Sequence, residues 1–177
     1  MIRLLGRATS GNVQKVLFLL EEMGLPYQRE DYGRQFNNTG GDYLKLNPTG
    51  KVPTIVDGET VIWESNTILR YLAAKNGSAL YPSDPGRRTE VERWMDWLLA
   101  SLNTPYVAIF KEAKKAPGER AASWAADAKE LSIADIALGP IVARCLDFPI
   151  ERPDLPNLKS WRERIAARPA FKKATAA

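Results

Sequence analysis

The stretch KLNPTGKVPTIVDGETVIWESNTILRYLAAK, residues 45–75, decides the fold. Two short runs rich in β-branched residues, 54–56 and 60–63, flank the pair Asp57-Gly58, which is typical of hairpin turns. A helix is expected from about residue 65 to residue 76, where Gly77 would end it. The stretch therefore predicts an antiparallel hairpin followed directly by a helix.

The residues before this stretch predict a parallel βαβ unit. Ile2–Leu5 is a short apolar strand, and the apolar spacing over residues 12–23 forms one helical face. Residues 27–32 can return as a strand parallel to the first. Residues 42–46 can form one or two helical turns, so the predicted order of the first half is β-α-β-α-β-β-α.

The second half is predicted to be an all-helical bundle. Residues 77–86 form a turn-rich linker with two prolines and two glycines, and no strand pattern follows it. We therefore expect one domain over residues 1–76, the linker 77–86 and a helical domain over residues 87–177. Its helices are expected over residues 87–115 (with a kink at Pro105), 117–130, 132–148 and 157–167.

Ser132-Ile-Ala-Asp135 has the form of a capping box at the start of the third of these helices. The Ser132 side chain can accept a bond from a free backbone N–H near Asp135, and Asp135 can reach back to the N–H of Ser132. We assign the pair a structural role and not a catalytic one.

Composition excludes several classes of chemistry. The chain has 177 residues, 45% of them hydrophobic, a net charge of +4, no histidine and one cysteine, Cys145. A Ser-His-Asp or Cys-His catalytic device is therefore excluded, and a zinc site has almost no ligands to use. The scattered basic residues and the lack of a long apolar run predict no nucleic-acid partner and no membrane span, and the single cysteine favours the cytoplasm.

Pro53 and the pair Glu64-Ser65 predict a site for a small zwitterionic peptide. A cis bond at Pro53 would turn the chain sharply, so that Val52 presents its backbone N–H and C=O to an extended ligand. The start of the helix at Ser65 favours a carboxylate, the Ser65 hydroxyl adds a donor, and Glu64 can bind an ammonium. Alternatively, Pro53 is an edge-strand proline and Ser65 a plain N-cap.

Three motifs in sequence carry a resemblance to a known family. NPTGKVPTIVDG (residues 47–58), ESNTILRYLA (64–73) and LSIADIALG (131–139) resemble, in composition and order, those of cytosolic glutathione transferases. The resemblance implies a thioredoxin-like domain followed by an α-helical domain. It also implies a homodimer, with glutathione as co-substrate and no metal, that conjugates small electrophiles.

The resemblance also implies roles for particular residues. The proline at position 53 would be cis, and Val52 would pair through its backbone with the cysteine of glutathione. Glu64 and Ser65 would hold the γ-glutamyl end, and Lys51 would lie near the glycyl end.

The thiolate donor is expected in the turn RATSGNVQKV, residues 7–16. Ser10 resembles the hydroxyl residue of the serine/threonine subgroup, while Asn12 and, more weakly, Thr9 remain alternatives. Ser10 or Asn12 can equally be a helix N-cap, and the two roles are compatible. The turn has neither cysteine nor tyrosine, which argues against the thiol-forming lyase type, the tyrosine subgroups and thioredoxins.

The second substrate would bind an apolar pocket, for which Tyr106 is the candidate. The predicted helix 117–130 is shorter than the resemblance implies, so either the gene has lost a segment or the sequence omits one. A ligand carrier that binds glutathione without catalysis, and a purely structural interaction module, remain alternatives. A glutathione-dependent isomerase or peroxidase would share the sulfur site.

Overall fold

The structure, a computed structural model, describes residues 1–119, 147 and 156–176. It divides into two compact units, with the division after Asp84, inside the predicted linker. The first unit comprises Met1–Asp84 together with the C-terminal residues from Ala166, and the second runs from Pro85 to Ile165. The C-terminal residues, which the sequence placed in the helical domain, thus group with the first unit.

The first unit has the predicted order β-α-β-α-β-β-α, followed by a C-terminal helix. Its elements are β1 (Ile2–Leu5), α1 (Gly11–Glu22), β2 (Tyr27–Glu30), α2 (Gly41–Leu46), β3 (Thr54–Asp57), β4 (Thr60–Trp63) and α3 (Ser65–Lys75). The sheet has the strand order β2-β1-β3-β4. β1 pairs in parallel with β2 and antiparallel with β3, and β3 pairs antiparallel with β4. The parallel βαβ unit and the hairpin are both confirmed.

Glycines with a left-handed backbone lie in the hairpin loop and at the end of α1. Gly58 has φ +62° and lies in the two-residue loop between Asp57 and Thr60. Gly24 has φ +63° after α1, where its N–H donates to the carbonyl of Glu21 and the N–H of Leu25 to that of Leu20. These two hydrogen bonds together form a Schellman motif, which needs a residue that tolerates positive φ.

The apolar face of α1 packs on the sheet and on α3. Val13, Val16, Leu17 and Leu20, spaced as one helical face, are all buried. They share one core cluster with residues of the sheet and α3, namely Ile2, Leu4, Ile55, Ile68 and Leu72. This packing fixes the direction in which the N-terminus of α1 points.

The second unit begins with one continuous helical run. It consists of α4 (Pro85–Trp97), a π-helical segment (Leu98–Leu102) and α5 (Asn103–Ala113). The sequence predicted a kink at Pro105, and the π segment lies just before it. Proline has no N–H to donate within a helix, so an interruption of the regular α-helical bonding is expected near it.

The other helices of the second unit are described only in part. Pro117–Glu119 is a 3₁₀ turn at the start of the predicted helix 117–130, the remainder of which lies outside the described residues. The predicted helix 157–167 is observed as α6 (Pro156–Ala167). The capping box Ser132–Asp135 lies outside the described residues.

A short C-terminal helix, α7 (Pro169–Thr175), was not predicted from the sequence. It packs against α1, where the ring of Phe171 meets that of Phe18 edge to face, 5.6 Å between centroids. Lys173 pairs with Glu21 at 2.8 Å, and Arg168 pairs with Glu22. The helix of seven residues is too short to be stable alone, so this packing explains its presence.

Phe171→Ala is expected to lower the free energy of unfolding by about 3 kcal/mol, because it empties a buried aromatic position between α7 and α1. Urea denaturation measures the change. Lys172→Ala, at the exposed neighbouring position, is the matched control and should change stability by less than about 0.5 kcal/mol. Equal stability of the two variants would contradict the packing of α7 on α1.

Candidate functional site

A buried asparagine fixes the loop that precedes β3. Asn47 is 1% exposed, and its Nδ2 donates to the carbonyl of Lys51 at 2.8 Å and to Thr54 Oγ1 at 3.1 Å. Its Oδ1 accepts from the N–H of Thr49 at 3.0 Å and from Thr49 Oγ1 at 2.7 Å. Tyr43 also donates its hydroxyl to the carbonyl of Lys51. Asn47 was not singled out from the sequence, although it opens the quoted NPTGKVP segment.

These bonds hold the backbone of three residues that the sequence predicts to bind a ligand. The Val52–Pro53 bond is cis, as predicted, and Pro53 is buried while Lys51 is exposed. Val52 lies beside Gly6, because a Cβ on that glycine would be 3.3 Å from the Cβ of Val52. Val52 therefore stands next to the end of β1, where the turn into α1 begins.

Glu64 and Ser65 begin α3. Glu64 has φ +68°, a left-handed backbone that costs a non-glycine residue roughly 1 kcal/mol or more. Ser65 is 5% exposed. The first bond of the helix joins the N–H of Ile68 to the carbonyl of Glu64, so the three N–H groups before it lie at the positive end of the helix dipole.

The N-terminus of α1 carries the predicted thiolate donors. Ser10 is the N-cap residue and is 8% exposed, but its hydroxyl makes no capping hydrogen bond. Asn12 is exposed and its Oδ1 lies 3.4 Å from Ser65 Oγ, which donates to it. Thr9 is exposed in the preceding turn. The structure thus brings Asn12 to Ser65, two residues that are 53 positions apart in sequence.

Lys15 is a member of the site that sequence analysis missed. It is 3% exposed, and its Nζ lies 3.5 Å from Ser65 Oγ. Burial lowers the pKa of Lys15 from 10.5 to about 8, and the carboxylate of Glu64 opposes this shift. The signal available in the sequence was its spacing of three from Asn12, which places both on one side of α1.

The arrangement can bind a carboxylate next to an ammonium. The N–H groups of the first turn of α3, the Ser65 hydroxyl and the buried Lys15 cation all favour an anion at the start of α3. The exposed Glu64 carboxylate can accept an ammonium from the same ligand.

Three other predicted residues are not among the contacts described above. Tyr106 lies in α5, in the second unit, and Ser132 and Asp135 lie outside the described residues. Within the described ranges, no group of three or more His, Cys, Asp or Glu side chains could hold a metal ion. Among the described helices, none is both long and apolar enough to span a membrane.

Lys15→Met is expected to raise the free energy of unfolding at pH 7 by about 2 kcal/mol, since it replaces a buried cation with an apolar side chain of similar length. The unfolded chain holds the Lys15 proton to about pH 10.5 and the folded chain only to about pH 8. Between these values the unfolded state binds more protons, so Lys15 makes wild-type stability rise with pH.

Urea denaturation at pH 7 and at intervals to pH 10.5 measures both effects. The free energy of unfolding of Lys15→Met should increase less with pH than that of wild type, because the contribution of Lys15 is gone. The exposed Lys172→Met should match wild type within about 0.5 kcal/mol. A Lys15→Met variant less stable than wild type at pH 7 would contradict the assigned cost of burial.

Comparisons with known proteins support this reading of the fold. Residues 9–75 match the family model of the glutathione S-transferase N-terminal domain. Glutathione S-transferase GstB of Escherichia coli strain K12 is 35% identical over 201 aligned residues, which cover 98% of this chain and 97% of that protein. The alignment is longer than the 177 residues of this chain, so GstB has residues without a counterpart here.

Similarity to a solved structure extends over the same length. A theta class glutathione S-transferase from Xanthomonas axonopodis pv. citri, with glutathione bound, is 33% identical with a TM-score of 0.87. The match covers 99% of this chain and 97% of that chain. It confirms the predicted fold class, a thioredoxin-like domain followed by a helical domain.

A partial match reaches a protein of another function. Elongation factor 1-gamma 1 of Oryza sativa subsp. japonica is 32% identical over 117 residues, which are 58% of this chain and 28% of that protein. The near full-length similarity to GstB, together with the matching fold, shows that this chain belongs to the glutathione S-transferase family.

Proposed function

We propose that the protein is a glutathione transferase that binds glutathione in the first unit and conjugates its thiolate to a small electrophile. The observation that carries this proposal is the position of Ser65. It is the first residue of the eleven-residue α3, it is buried, and it is in reach of Asn12 and Lys15 from α1. This is a site for a carboxylate, and the neighbouring Glu64 suits the α-ammonium of the same γ-glutamyl group.

The remainder of glutathione extends from that subsite along the loop before β3. The cysteinyl residue pairs with the backbone N–H and C=O of Val52, as an added strand would. The glycyl carboxylate lies near the exposed Lys51. The Asn47 hydrogen bonds support this assignment, because they hold the Lys51 backbone in place without a ligand.

The sulfur then lies at the turn between β1 and α1. A thiol with a pKa of about 8.5 is only a few per cent ionised at neutral pH, and a shift of about two units requires about 2.7 kcal/mol. One or two charge-assisted hydrogen bonds supply such an amount. We propose Ser10 as the main donor, with Asn12 as the alternative and Thr9 as a weaker one. The thiolate attacks the electrophile, which forms the carbon–sulfur bond and expels the leaving group or opens the acceptor.

Other parts of the function stay predictions. Tyr106 of α5 is our candidate for the electrophile pocket, and we expect a cytoplasmic homodimer that needs no metal. The Ser132–Asp135 capping box is expected to begin the third helix of the helical domain.

A second candidate function is an interaction module without glutathione chemistry. The partial similarity to an elongation factor 1-gamma favours it. A module of this kind would show no glutathione affinity, whereas a ligand carrier would bind glutathione and conjugate nothing. Calorimetry followed by a conjugation assay with 1-chloro-2,4-dinitrobenzene and several other electrophiles separates the three cases.

Ser65→Ala is expected to weaken glutathione binding about tenfold or more, because it removes a hydrogen bond to a charged carboxylate worth about 1.4 kcal/mol. Titration calorimetry measures it against wild type. Ser160→Ala, at an exposed serine of α6, is the control and should leave binding unchanged. If wild type binds glutathione tightly and Ser65→Ala binds it equally well, the ligand does not bind at the start of α3.

Ser10→Ala is expected to raise the pKa of enzyme-bound glutathione by about one to two units, through loss of the hydrogen bond to the thiolate. The ultraviolet absorbance of the thiolate, followed against pH in the binary complex, gives this pKa. Asn12→Ala and Thr9→Ala are the parallel variants. The largest shift in Asn12→Ala would transfer the role to Asn12, and no shift in any of the three would contradict a donor in this turn.

A further inference from the structure

Three polar groups form a chain between the starts of α1 and α3. Lys15 Nζ lies 3.5 Å from Ser65 Oγ, and Ser65 Oγ lies 3.4 Å from Asn12 Oδ1. Lys15 and Ser65 are both buried, whereas Asn12 is exposed. This row of hydrogen-bonding groups therefore runs from the interior to the face on which the proposed ligand lies.

The position of Lys15 is unfavourable for the fold by itself. A buried ammonium loses its hydration, and the positive end of the α3 dipole lies beside it. The exposed Glu64 carboxylate compensates only in part. A methionine would fill the same space without a charge. The lysine is thus better explained by something that the folded protein binds.

The hydrogen count on Ser65 shows what the ammonium does. A charged lysine has three donors and no acceptor, so the Ser65 oxygen must accept from it. The hydroxyl hydrogen of Ser65 must then point elsewhere, and here it points to Asn12 Oδ1. A neutral amine has a lone pair, which would allow the same hydrogen to turn inward.

We propose that Lys15 is a positioning residue for the carboxylate bound at the start of α3, an inference that rests on the proposed glutathione site. Its ammonium holds the Ser65 hydroxyl with the hydrogen directed outward, and it supplies buried positive charge behind the carboxylate. A bound carboxylate replaces Asn12 Oδ1 as the acceptor of the hydrogen bond from the Ser65 hydroxyl. The Asn12 side chain is then released from Ser65 and can interact on the side of the sulfur.

Binding should then be coupled to the protonation of Lys15. Glu64 is the charged group that faces Lys15 from α3. The cations of α7, Arg168 and Lys173, pair with Glu22 and Glu21 at the opposite end of α1. A bound carboxylate favours the charged lysine, so Lys15 takes up a proton on ligand binding at pH values where it has begun to lose that proton in the free protein.

The test is the affinity of S-methylglutathione, measured by calorimetry from pH 6.5 to 9.5 for wild type and Lys15→Met. The S-methyl group removes the thiol titration, and the amino group of the ligand titrates alike for both proteins. At pH 6.5 Lys15→Met should bind about tenfold more weakly than wild type. The difference should shrink to about threefold or less at pH 9.5, where wild-type Lys15 is largely neutral.

Controls separate this role from packing. The exposed Lys172→Met should match wild type at every pH. Lys15→Gln, which keeps a hydrogen-bond donor but carries no charge, should lose the same pH-dependent part of the affinity. It replaces Lys15→Met in the test if that variant does not fold. Equal affinity of wild type and the Lys15 variants at pH 6.5, or a loss that is constant with pH, would overturn the inference. Failure of wild type to bind S-methylglutathione would overturn the proposed function and the inference with it.

Discussion

The packing of α1 is the constraint on which the site depends. One face of the helix is buried on the sheet and α3, and α7 packs against it as well. A helix held by several elements cannot slide or rotate without opening the core, so the residues at its start are fixed in position. Asn12 and Lys15 reach the start of α3 for this reason.

The loop before β3 is fixed separately. Asn47 satisfies polar groups on both sides of the cis bond, and it does so from a fully buried position. The backbone of Lys51 and Val52 is thereby held beside the end of β1 even without a ligand. Because hydrogen bonds and packing within the protein constrain both parts of the proposed glutathione site, we expect little entropy to be lost on ordering them.

Local patterns with a strong physical cause were predictable from the sequence. Gly58 and Gly24 adopt the positive φ that their turns require, and the apolar spacing of α1 matches its buried face. Pro53 and Ser65 carried the site prediction, because one marks a turn in the backbone and the other a helix start. A π-helical segment, Leu98–Leu102, precedes Pro105, and the kink at that proline stays a prediction.

Features that depend on tertiary contacts were not predictable. From its residue type Lys15 would be expected at the surface, yet it is 3% exposed in the fold and lies near Ser65 of α3. The helix α7 has only seven residues, and the contact between Phe171 and Phe18 of α1 helps to stabilise it. Asn47 resembles an ordinary turn residue until its four hydrogen bonds are counted. Each case requires a partner from a distant part of the chain.

The most direct test of the central claim is a crystal structure of the protein with glutathione bound. The account predicts the α-carboxylate of the γ-glutamyl group within hydrogen-bonding distance of Ser65 Oγ and the first N–H groups of α3. It also predicts that the cysteinyl backbone pairs with Val52 and that the sulfur faces the turn that holds Ser10. Glutathione bound away from the start of α3, or bound there with its thiol remote from this turn, would contradict the account.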